Sequence, residues 1–143
     1  MAEESAGGDK DIRGDVMRYG KYGNRKVTVD GIVFDSKREA ARYKDLKLLQ
    51  EAGEIKGLQM QVPFELIPAK YEHFERFSEK TGKKLKDGCR CVEKSCVYLA
   101  DFVYQDVKTG EWIVEDAKGH KTEAYIIKRK LLLYIHGIRI KEV

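Results

Sequence analysis

Two apolar runs late in the chain carry charges where a sheet interior should have none. Tyr98-Leu99-Ala100-Asp101-Phe102-Val103-Tyr104 is followed, across a Gly-containing turn, by Trp112-Ile113-Val114-Glu115-Asp116-Ala117-Lys118-Gly119. A charge in such a run is expensive unless it is paired or holds a metal. Side chains alternate along a strand, so Asp116 and Lys118 share one face and Glu115 takes the other. A carboxylate and an amine so placed can meet one scissile phosphate. Asp101, on the neighbouring strand, can approach the same point, and Glu39 lies on a helix that precedes both strands. Hard divalent cations such as Mg²⁺ take a few carboxylates, a backbone carbonyl and waters, and Ala117 offers the carbonyl. A cation held there polarises a phosphate and lowers the pKa of a bound water, and Lys118 can orient or deprotonate that water. The chemistry suggested is metal-dependent hydrolysis of a phosphodiester.

The elements that must position these groups are legible on either side of them. Val27–Phe34 reads as a short hairpin around the Asp30-Gly31 turn. Ser36 and Glu39 match a capping box, and Ala40, Tyr43, Leu46, Leu49 and Ala52 keep helical spacing up to Gly53. Glu39 is therefore either the acid of the cap, or a site residue, or both. Ile55–Ile67 reads as one long strand or a bent pair, restricted to an edge or a break by Pro63 and Pro68. Residues 70–97 are polar and basic, and are expected to form an insertion or a long loop. Strands over 97–104 and 112–117 follow. Thr122 caps a second helix that ends near Gly137, and residues 138–143 close as a strand. Residues 1–18, rich in Gly and polar groups, are expected to form a flexible tail before a single domain over 19–143.

The chain has 143 residues, a net charge of +4, and no apolar run near the roughly 20 residues that cross a bilayer. Its first eight residues lack a basic segment followed by an apolar one, so no secretory signal and an intracellular, cytoplasmic location are expected. The basic residues are clustered. Lys21, Arg25 and Lys26 precede the first helix, and Lys121 and Lys128 follow the carboxylates; each group serves either DNA contact or solubility. Three cysteines, Cys89, Cys91 and Cys96, fall within eight positions. With His73 or His120 they offer ligands for a structural Zn²⁺; the alternatives are free thiols or a disulfide.

The order helix-Glu, strand-Asp, strand-Asp-x-Lys, helix, strand resembles the PD-(D/E)XK nuclease superfamily. More closely, Phe34-Asp35-Ser36-Lys37-Arg38-Glu39-Ala40, Leu58-Gln59-Met60-Gln61, Ala100-Asp101-Phe102 and Glu115-Asp116-Ala117-Lys118-Gly119 resemble small phage and prophage endodeoxyribonucleases, similar in core to Holliday-junction-resolving enzymes. Ala100 stands where the superfamily commonly has Pro. The resemblance implies a restriction-endonuclease-like α/β fold of αβββαβ order, a mixed central sheet flanked by two helices. It implies Mg²⁺ or Mn²⁺ on Asp101 and Asp116, completed by Glu39, and Lys118 as the catalytic amine. Gln59 and Gln61 would be supporting polar groups, and branched or structured DNA the substrate. Because both strands of a junction must be cut, a homodimer fits this expectation. Two other readings remain: a non-catalytic DNA-binding module on a degenerate nuclease fold, and an interaction protein organised around a zinc-bound loop.

Overall fold

The computed structural model describes residues 25–143. The expected tail over residues 1–18 and the candidate DNA contact Lys21 lie outside that range. A hairpin opens the described chain, β1 (Val27–Val29) against β2 (Ile32–Phe34). Asp30 and Gly31 between them both take positive φ, 51° and 77°. Two consecutive left-handed residues match the twist of the flanking strands, and Asp-Gly accepts that geometry at low cost.

The helix α1 (Lys37–Glu51) starts where its cap requires: the Ser36 hydroxyl accepts from the Glu39 N–H at 3.1 Å. Ala40, Tyr43 and Leu46 are its buried residues, three apart on one face. They pack with Phe34, Ile55, Phe102 and Tyr104 in one of two hydrophobic clusters.

The main sheet has four strands: β3 (Ile55–Ile67), β6 (Cys96–Asp106), β7 (Trp112–Asp116) and β8 (Lys141–Glu142), hydrogen-bonded in the order β3-β6-β7-β8. The first two pairings are antiparallel. The β7–β8 pairing is parallel, and the crossover between them runs through α2 (Glu123–His136). Pro63 is tolerated because β3 is an edge strand. The fold is thus mixed α/β, a mixed sheet with two helices. The expected closing strand is shorter than residues 138–143, with only Lys141 and Glu142 paired. Among the described residues no helix is long and apolar enough to cross a membrane.

Residues 70–97 are not the irregular segment expected. They form a two-stranded antiparallel ribbon, β4 (Lys70–Phe77) with β5 (Lys84–Glu93), before entering β6. Alternation of apolar residues was missing because the ribbon covers no core: every residue of β4 is exposed. Backbone pairing and exposed cross-strand contacts, not a buried face, make it regular.

Along β6 the side chains change allegiance. Tyr98 and Ala100 pack in the cluster beneath α2, whereas Phe102 and Tyr104 pack beneath α1. The parity reverses at Asp101. On β3, Val62 and Phe64 lie with the first cluster and Met60 with the second, so the same reversal occurs at Gln61, whose φ is 52°. Gln61 falls between the pairs Met60–Phe102 and Val62–Ala100, opposite Asp101.

Candidate active site

Asp101 and Asp116 are buried, 8% and 0% exposed. Phe102 pairs with Glu115, so one step further along the antiparallel register Asp101 faces Asp116 across β6 and β7. The Asp101 Oδ2 accepts from the Ala117 N–H at 2.9 Å, which locks the first acid to the chain just beyond the second. Asp116 Oδ2 accepts from the buried Tyr98 hydroxyl. Burial, and then that hydrogen bond to Asp116, push the Tyr98 phenol up, so it remains a donor.

The other oxygen of Asp116 is exceptional. Oδ1 is buried and receives no hydrogen bond. The Lys118 ammonium stands 3.3 Å from it, an attraction between charges without the alignment of a hydrogen bond. Lys118 is itself held 4.9 Å over the Tyr125 ring. A buried carboxylate oxygen whose one neighbour is an unaligned ammonium is incompletely satisfied, and a second cation is what would complete it.

Asp101 reports the same deficit. Burial, followed by the negative charge of Asp116, raises its pKa to about 7. Its folded-state pKa lies above the unfolded value of about 3.9, so the folded protein binds the extra proton between these limits. Stability from this group is present at low pH and is lost as pH rises toward 7. In EDTA, melting temperature should therefore fall between about pH 4 and 7 and level off above that. Saturating Mn²⁺ should flatten the fall, and Asp101→Asn should remove it; a thermal-shift series reads all three. A wild-type curve that rises over this range in EDTA would overturn the assignment.

Glu39 sits in the first turn of α1 at the rim of the site. Its carboxylate is 3.5 Å from the Ser36 hydroxyl. Its pKa is raised, mainly by burial and then by Asp35, with weaker influences from Lys118 and Asp116. It thus stays with the helix cap, near enough to Lys118 and Asp116 to feel their charges. Among the described residues no group of three His, Cys, Asp or Glu is arranged to hold a metal by itself. Two strand carboxylates with a carbonyl and waters are nevertheless an ordinary Mg²⁺ set. The bare Oδ1 and the raised Asp101 fit such an ion.

A cleft of about 700 Å³ opens beside these groups, lined by Arg25, Arg38, Glu39, Ala117, Lys118 and His120 among others. Arg38 donates to the Lys118 carbonyl at 3.1 Å, tying the start of α1 to the chain after β7.

The remaining candidates have other placements. Lys26, Gln59 and Gln61 are exposed. Lys121 pairs with Glu142, which also holds Arg129 at 2.7 Å and is lowered to about 2 by these two cations. Lys128 donates to the Val97 carbonyl at 3.0 Å and so fastens α2 to β6. Cys89 faces His73 across the β4–β5 ribbon and Cys91 faces Tyr71, while Cys96 lies in the main sheet opposite Ile67. All three thiols are free.

Sequence reasoning missed the partner of Glu115. This residue is fully buried beneath α1, where Arg42 grips it through two bonds, Nε at 2.5 Å and Nη2 at 3.0 Å, and the Tyr104 hydroxyl donates at 2.6 Å. The signal was the acid itself: on the face opposite Asp116, it needed a cation from the covering helix. Tyr98, the first residue of the earlier apolar run, is buried in the core and also holds Asp116.

No curated protein and no solved structure matches the chain. A family model matches residues 19–140, and the chain belongs to that family, described as protein of unknown function (DUF1064).

Proposed function

We propose that the chain is a metal-dependent endodeoxyribonuclease of restriction-endonuclease-like fold, akin to the PD-(D/E)XK nucleases. One observation carries the reading: two facing buried carboxylates, one with a bare oxygen, stand beside an ammonium at the wall of a basic cleft. A structural ion pair would need neither the second acid nor the orphan oxygen. Asp101, Asp116 and the Ala117 carbonyl would hold Mg²⁺ or Mn²⁺, with Glu39 completing the acidic rim. The ion would supply a polarised phosphate and an acidified water. Lys118, an ammonium fixed between Asp116 and Tyr125, orients the attacking water and offsets charge developing on the phosphate oxygens. Arg38 and Arg25 at the cleft wall suit the flanking phosphates. Two acids on adjacent strands, with a Lys two residues beyond the second, support the superfamily assignment, and the likeness of four segments to small phage enzymes supports branched DNA as the substrate.

The test is cleavage of linear, supercoiled, flap and four-way-junction DNA in Mg²⁺, Mn²⁺ or EDTA. The expected outcome is nicking or cutting in either metal and none in EDTA, with branched substrates preferred. Sustained DNA affinity without cleavage in either metal would move the assignment to a binding module.

A further inference from the structure

The β4–β5 ribbon has no role in the site described above, yet it is built as a defined arm. It continues the β3–β6 pair past Ile67 and Cys96, and β4 and β5 pair only with each other. A two-stranded ribbon alone is marginal in water. This one is braced: the Phe74 ring lies across Gly88, where a Cβ would meet it at 2.3 Å, and cross-strand pairs join Lys84 to Glu75 and Arg90 to Glu72. Its eight-residue strand β4 rises about 27 Å at about 3.4 Å per residue, most of one turn of B-DNA.

Position and charge point to an occupant. The last residue of β7 is Asp116, and β7 runs antiparallel to β6, so Lys118 lies toward the end of β6 from which the arm leaves. Between Lys70 and Lys94 the sequence carries eight Lys and Arg against five Asp and Glu, an excess of three within a chain of net +4. At its tip Lys80, Lys83 and Lys86 make no ion pair among the described residues, and all are exposed. We infer that this arm lies along double-stranded DNA flanking the cleavage point, its Lys-rich tip on the phosphate backbone about one turn from the scissile bond. The inference rests on the nuclease reading for what occupies the cleft and adds the length of duplex engaged. The exposed Tyr71 and Phe77 make a second protein chain the competing occupant; the positive excess favours the polyanion.

The test uses the full chain carrying Lys80→Gln, Lys83→Gln and Lys86→Gln, with Lys56→Gln/Lys108→Gln at the far end of the sheet as control. Binding to duplexes of about 40 and about 10 base pairs is measured across a salt series, and cleavage is followed at saturating DNA. Each lost phosphate contact should reduce the slope of log K against log salt by about 0.9. On the long duplex the triple variant should show a slope shallower by about 2 to 3 and at least about tenfold weaker binding. The short duplex and the control variant should show no such change, and the cleavage rate at saturation should stay as in wild type. Unchanged slope and affinity on the long duplex would overturn the arm assignment. So would an equal loss on both lengths, or a change confined to oligomeric state. Wild type that cleaves DNA with an indifferent arm sinks the arm alone. Arm-dependent binding without cleavage sinks the nuclease reading alone.

Discussion

Replacing Asp116 by Asn should lower DNA cleavage by at least about 100-fold while making the metal-free protein more stable. The loss follows from the chemistry: the bare Oδ1 becomes part of a neutral amide, and the ammonium of Lys118, 3.3 Å away, loses the charge that holds it. Removing a group that binds charge developing in a transition state typically costs a factor of 10² or more. The gain follows from the electrostatics. Asp101 is raised to about 7 by burial and then by Asp116, so a neutral neighbour relieves the second cause. Tyr98 can still donate to an amide oxygen at this position, which keeps the local packing. Activity assays and thermal melts of the same preparations check both halves. A variant as active as wild type, or less stable in EDTA at neutral pH, would remove Asp116 from the site.

Arg42→Ala should be the most destabilising single change outside the hydrophobic clusters. It leaves Glu115, fully buried, with only the Tyr104 hydroxyl for its charge. Breaking a buried ion pair from one side costs about 3–5 kcal/mol. Arg42 is 24% exposed, so water can reach part of the vacated space and the lower end, about 3 kcal/mol, applies. For a domain of this size that corresponds to a fall of roughly 10 °C in melting temperature. Adding Glu115→Gln should recover part of the fall, since a buried amide costs less than a buried charge. Below its melting temperature the Arg42 variant should still cut DNA, because the guanidinium serves the α1 face of the sheet. A shift of under about 2 °C would contradict the buried-charge account.

Much of this architecture could be read from residues alone where a local rule had one solution. Asp30-Gly31 demanded a left-handed turn, Ser36 and Thr122 announced helix starts, and Gly137 ended the second helix in left-handed geometry, as found. Strand parity correctly set Asp116 and Lys118 apart from Glu115. It could not place Asp101, because strict alternation along β6 puts it on the face opposite Tyr98 and Ala100. The reversal of facing at Asp101 and Gln61 is a property of two twisted strands together, not of either sequence. The ribbon was illegible for a related reason: hydrophobic periodicity signals burial, and an arm that buries nothing emits none. Lys128 shows the converse. A lysine on a helix surface looks available for phosphate, but its reach to the Val97 carbonyl depends on how α2 lies against β6.

The claim that matters most is that Asp101 and Asp116 form one divalent-cation site. Crystals soaked in Mn²⁺ and measured for its anomalous scattering test this directly. The expected result is a peak between the two carboxylates, adjacent to the Ala117 carbonyl and the Lys118 side chain, that disappears in Asp116→Asn. Mn²⁺ bound only elsewhere, or density at this point that persists in the variant, would contradict it.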